Sequence, residues 1–288
     1  MANKDRKKEK DKSQSISKMP PTKQELQVVE QLCLIDDVFF EAFMSDLEAA
    51  QELIQILLDD SALIVEQSQM QKSIKNLIGR SVRLDALCLL GNGKYCNVEV
   101  QRSDNDDHLK RIRYNSSLIA TSTTKTGAFF KDIVDTIIIF ISEFDLFKRG
   151  LTTYHIDSVV REIGEKVDDG VQILCINTEN KDNTIISELM DEFKKPDFSN
   201  PKFPKMSKRM AYMKHDEGGL KEVCELMEKY SENIAREREI KATIITSLRF
   251  KADKTTILDI LKETYSLNDK EAERYYNMYK NFDFRRVK

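Results

Sequence analysis

The sequence predicts an α/β domain, a mixed sheet flanked by helices, followed by an α-helical C-terminal extension. Two runs rich in Val, Leu, Tyr and Cys, Val82 to Leu90 and Lys94 to Gln101, flank Gly91-Asn92-Gly93. That turn can adopt positive φ, the strongest short-range signal for a hairpin. Ile133 to Ile141 is apolar and β-branched almost throughout, as expected of a central strand covered on both faces. Beyond Pro204 the composition shifts to Lys, Glu, Met and Ala without strand signals. With 288 residues, 40% hydrophobic and 33% charged, the chain can bury one substantial core plus an appendage.

Taken in order, residues 1–24 carry Lys4, Arg6, Lys7, Lys8, Lys10 and Lys12 among Ser, Gln and Asn, then Pro20-Pro21, and predict a disordered basic tail. A compact domain is expected over 25–203. From Lys23 the apolar spacing turns helical. Asp36 to Asp60 reads as one strong helix with a stripe of Leu47, Ala50, Leu53, Ile54, Leu57 and Leu58. Ala62 to Met70 is a short first strand and the hairpin supplies the next two. Asp104-Asn105-Asp106-Asp107 ends the ladder and offers an N-cap to a helix from Asp107 to Ser122, with His108 expected at the surface. Ile133 to Ile141 and Val171 to Ile176 are buried strands, with a hairpin between them over Thr152 to Val167. Ile185 to Phe193 forms a helix, and Lys195 to Pro204 links to the extension, 204–288. There, Leu220 to Phe250 is a long helix whose apolar seam could form a homodimer or fold back on the domain. Lys254 to Leu261 and Leu267 to Glu273 form a helical pair; acids at Asp269, Glu271 and Glu273 favour a plain hairpin over a DNA-reading helix-turn-helix.

Within the hairpin, a turn centred on Asn92 pairs Leu90 with Lys94 and sets Asp85 opposite Glu99. Alternation then projects Arg83, Asp85, Glu99 and Gln101 together, with Val82, Leu84, Ala86, Cys88, Cys96, Val98 and Val100 on a core face. Like charges across a ladder, with Cβ atoms ~5 Å apart, repel. A hard cation such as Mg²⁺, which takes one or two carboxylates and keeps several waters, would offset this. A solvated charged face accounts for the same residues by spacing alone.

The net charge of −3 argues against a surface that grips nucleic acid everywhere and leaves DNA contact to local basic patches. Five cysteines without CxxC spacing indicate neither a zinc site nor a disulfide framework and suggest a reduced, cytoplasmic setting. No apolar run is long enough to span a bilayer.

The segments Arg80-Ser-Val-Arg-Leu-Asp85, Asn97-Val-Glu-Val-Gln101-Arg102-Ser-Asp104, Arg111-Ile-Arg-Tyr-Asn115 and Phe140-Ile-Ser-Glu-Phe-Asp-Leu-Phe147 together resemble the PD-(D/E)XK nuclease family transposases, relatives of the recombination-promoting nucleases. The resemblance implies a restriction-endonuclease-like fold and a Mg²⁺-dependent DNA endonuclease (Mn²⁺ also serving) tied to recombination or transposition. It places catalysis at Asp85, Glu99 and Gln101, and the metal on Asp85, Glu99 and the Val100 carbonyl. Arg83, Arg111, Arg113 and Tyr114 become candidates for contacting DNA phosphates. Gln101 stands where Lys is commoner. The acid that the first helix often adds aligns with Gln55, with Glu52 nearby. These departures keep a second reading open, a catalytically weak or inactive nuclease fold serving as a DNA-binding or protein-interaction module.

Overall fold

The computed structural model describes residues 21–74, 81–105 and 107–282, so the basic tail expected at 1–24 lies almost wholly outside them. The chain divides into two compact units, Met1–Leu226 and Met227–Lys288.

The first unit opens with α1 (Lys23–Gln31), capped by Thr22 and Glu25 in a reciprocal capping box. The single helix expected over Asp36 to Asp60 is two, α2 (Asp37–Met44) and α3 (Leu47–Leu58). The break falls where Asp46 turns its carboxylate to the Ala49 N–H and starts a new helix. Phe39, Phe40, Phe43, Leu53 and Ile54 are fully buried, each worth about 1.5–3 kcal/mol of transfer free energy.

Next come β1 (Val65–Ile74), β2 (Val82–Leu90) and β3 (Tyr95–Gln101), joined as an antiparallel meander. Gly93 takes φ +82° and returns its N–H to the Leu90 carbonyl at 2.8 Å. The register is the one the turn predicts, with Cys88 facing Cys96 and Ala86 facing Val98. Both thiols are buried and free. After α4 (His108–Thr123), β4 (Thr136–Ser142) runs parallel to β3 and is buried at every position.

The stretch expected to be one hairpin holds three strands. β5 (Thr153–Ile156) joins the sheet edge, while β6 (Ser158–Val160) and β7 (Glu165–Val167) pair only with each other, exposed throughout. β8 (Val171–Asn177) is parallel to β4 and antiparallel to β5. The sheet order is β1-β2-β3-β4-β8-β5. Helices α2 and α3 pack against the meander, and α4 packs against β1 and β4. The α4 side is a core of Leu87, Ile112, Ile119, Ile138 and Phe140. The face carrying Glu99 is therefore covered rather than solvated.

Helices α5 (Ile185–Phe193) and α6 (Pro204–His215), with proline opening α6, complete the layer; α6 packs on α3. Helix α7 (Glu217–Arg249) begins in this unit, where Val223 and Cys224 are buried and Glu222 pairs with Arg209 at 2.5 Å. In the second unit, Ile240 and Ile244 of α7 pack with Ile257 and Leu261 of α8 (Lys254–Tyr265) and Ala272 of α9 (Asp269–Tyr279). Both ends of the α7 seam thus pack within the chain, while Met227, Tyr230 and Ile234 between them are half-buried, and the homodimer expected from the seam is not supported.

Candidate active site

Beyond Ala86 and Val98 the β2–β3 pairing stops. Continued ladder alternation would send the Val100 N–H to the Leu84 carbonyl. Instead the Asp85 Oδ2 accepts it at 3.1 Å, so a side chain stands in for the backbone and the strands part. Across β1, Gln71 sits in the left-handed region at φ 50°, between the Met70–Ala86 and Lys72–Leu84 pairs. Such backbone costs about 1 kcal/mol for a residue with a Cβ. Past this point Leu84 and Val82 join Leu87 in the α4 core, not the opposite face that strict alternation predicts.

Glu99, 1% exposed, points into the opening. Its Oε1 accepts the Asn97 Nδ2 at 3.0 Å and the Asp85 N–H at 3.4 Å. Its Oε2 pairs with the Arg111 Nη2 at 2.5 Å. The Arg111 Nη1 donates to the Gln101 Oε1 at 2.7 Å, and the Gln101 amide donates on to the Ser103 carbonyl. Arg111 can reach both because the Asp107 N-cap, accepting the Lys110 N–H, starts α4 one turn earlier. Burial works against the Arg111 charge, but Glu99, Asp85 and Asp37 outweigh it and hold the guanidinium more firmly protonated.

Asp85 is held well above the usual carboxylate range. Burial is the largest cause, then the like charges of Glu99 and Asp37; the Val100 N–H and Arg111 oppose them. Asp85, Glu99 and Asp37 thus act on one another at this point of the sheet, with the Arg111 guanidinium among them.

Asp37, the first residue of α2, was not among the residues picked from sequence. Its signal was the doubled acid Asp36-Asp37 ahead of a buried Phe pair, one acid more than a helix start needs. Arg102 anchors this corner, pairing with Asp36 at 2.5 Å and with Glu143, just after β4, at 3.1 Å. The first-helix candidates do other work: Gln55 donates to the Ser61 and Leu63 carbonyls, and Glu52 accepts the Met206 N–H of α6. Arg83 and Arg113 are exposed and Tyr114 is half-buried. His108, expected at the surface, is buried between Phe140 and Phe144, with ring centroids at 5.3 and 5.2 Å.

Among the described residues, no three His, Cys, Asp or Glu side chains form a cluster able to hold a metal ion by themselves. A hard ion here would take the Asp85 and Glu99 oxygens, the Val100 carbonyl and waters, a donor set that suits Mg²⁺.

A mixed six-stranded sheet with helices on its faces and an acid pair where two strands part is the α/β architecture of the PD-(D/E)XK nucleases. The chain belongs to the PD-(D/E)XK nuclease family transposases, whose family model matches residues 46–260. No curated protein and no solved structure gives a significant match. The matched span contains Asp85, Glu99, Gln101 and Arg111 but not Asp37.

Proposed function

We propose that this chain is a Mg²⁺-dependent DNA endonuclease, with Mn²⁺ as a substitute ion, acting in recombination or transposition. The observation that carries the reading is the pairing of half-buried Asp85 with buried Glu99 at the parting of β2 and β3, with Arg111 bonded to both Glu99 and Gln101. The catalytic role falls to residues 25–203. Asp85, Glu99 and the Val100 carbonyl would hold the ion, and Asp37 acts on Asp85 from α2. A bound divalent ion supplies an acidified water and neutralises charge growing on the phosphate oxygens. Gln101 orients the attacking water by hydrogen bonding; Arg111 fixes Glu99 and Gln101 relative to each other and offers a cation to the scissile phosphate. Arg83, Arg113 and Tyr114 contact flanking phosphates. The free, bridge-less cysteines support a cytoplasmic setting, and no described helix is long and apolar enough to cross a membrane.

One observation favours the binding-module reading. The Arg111–Glu99 ion pair supplies part of the positive charge that a metal would otherwise provide. Nicking of supercoiled plasmid in Mg²⁺, Mn²⁺ or EDTA decides between the two. Metal-dependent nicking that is lost in both Asp85→Asn and Glu99→Gln supports the endonuclease. No cutting with any metal, while both variants bind DNA as the native chain does, supports the module.

A further inference from the structure

The second unit offers a binding face unconnected with the acid pair. Helices α7, α8 and α9 share a core of Ile240, Ile244, Ile257, Leu261 and Ala272. Ser266, left-handed at φ 52°, then Leu267 and Asn268 turn the chain from α8 into α9, where Asn268 and Glu271 form a reciprocal capping box. Two helices joined by three residues on a third is the element order of helix-turn-helix proteins, whose last helix reads the major groove.

In the sequence, three acids on α9 weigh against that role. In the structure each is committed within the unit. Asp269 lies 3.2 Å from the Lys262 ammonium, Glu271 accepts the Asn268 N–H, and Glu273 pairs with Lys254 at 2.5 Å. The opposite side of α9 from Ala272 presents Lys270, Arg274 and Asn277, all exposed, at the four- and three-residue spacing of one helical stripe. Arg274 is held with its guanidinium over the Tyr275 ring at 4.8 Å. Over residues 227–288, 14 Lys and Arg face 11 Asp and Glu, although the whole chain is net negative.

We propose that α9 binds duplex DNA through this stripe, Lys270 and Arg274 on phosphates and Asn277 toward the base edges. The net positive charge of residues 227–288 and the pairing of Asp269 and Glu273 with lysines of α8 select a polyanion. The inference goes beyond the nuclease reading, since it requires binding and no cleavage.

The test is fluorescence anisotropy of a labelled duplex with the full-length protein in EDTA, from 50 to 200 mM salt. Lys270→Ala/Arg274→Ala should weaken binding by about tenfold or more and reduce the log–log salt slope by about 2, roughly one per phosphate contact. Lys270→Arg/Arg274→Lys should keep the native slope, which separates lost charge from lost fold. A native chain that does not bind duplex, or a double-alanine variant with native affinity and slope, overturns the proposal; the latter points to an acidic protein partner for the stripe. Plasmid nicking reports separately. A chain that binds through α9 but never nicks refutes only the nuclease reading, and one that nicks while the double variant binds normally refutes only this one.

Discussion

Asp145 is the most heavily hydrogen-bonded carboxylate among the described residues, and its replacement by Asn gives a quantitative test of how the loop after β4 is held. Oδ1 accepts the Phe147 and Lys148 N–H groups; Oδ2 accepts those of Arg149 and Gly150, the Tyr154 hydroxyl and the Asn180 amide, all at 2.8–3.0 Å. Burial alone would raise this carboxyl, but these donors bring it from 3.8 down to about 2. That difference corresponds to about 2 kcal/mol at neutral pH, which solvent screening near the surface trims to about 1–1.5. In Asp145→Asn the amide nitrogen must also face backbone donors, and orphaning them adds about 1–3 kcal/mol. The expected total is about 3 kcal/mol, read by urea denaturation at pH 7, with faster amide exchange over Phe147 to Gly150. Because the folded carboxyl is depressed, its contribution is present above pH ~4 and is lost as pH falls through about 2. The gap between native and variant should close over that window. A loss below 0.5 kcal/mol at pH 7, or a gap that does not change with pH, would refute the reasoning.

Three further outcomes follow from the site. Asp85 is raised, so ionising it costs stability as pH climbs through its folded value. In EDTA the native melting temperature should fall with rising pH relative to that of Asp85→Asn, and Mg²⁺ should recover the loss in the native chain only; parallel pH profiles would count against a raised Asp85 carboxyl. Asp37→Asn should raise the Mg²⁺ needed for half-maximal nicking by about tenfold or more, and an unchanged metal titration would remove Asp37 from the site. Gln101→Lys brings an ammonium beside the Arg111 guanidinium, now 2.7 Å from the Gln101 oxygen, and should cost about 1–2 kcal/mol of stability; no change in rate or metal requirement would count against a role for Gln101 with water.

The parts legible in the sequence are those set by local rules. Gly91-Asn92-Gly93 dictates the turn, period-two alternation does the rest, and the pairing of Cys88 with Cys96 follows from the chain alone. Strand β4, apolar without interruption, and helix α4, with its Asp107 cap, are read the same way. What escaped depends on distant approach. Asp37 matters because α2 packs on the meander, and no spacing within α2 records that. Glu52 looked like a candidate acid, but α6 arrives from more than 150 positions away to use it as a cap. Alternation also failed at Asp85 itself, where the carboxylate displaces a backbone acceptor and turns Leu84 to the other side.

The β6–β7 ribbon has a consequence for engineering. Strands β5 and β8 are already antiparallel neighbours, with Ile156 opposite Ile173, so the ribbon is an insertion carried at the tip of what would otherwise be an ordinary hairpin. None of its ladder pairs belongs to the six-stranded sheet. Residues 158–169 can therefore be exchanged for a short turn, or opened at Ile163-Gly164 to take a tag or fluorophore, without breaking a strand that frames the acid pair.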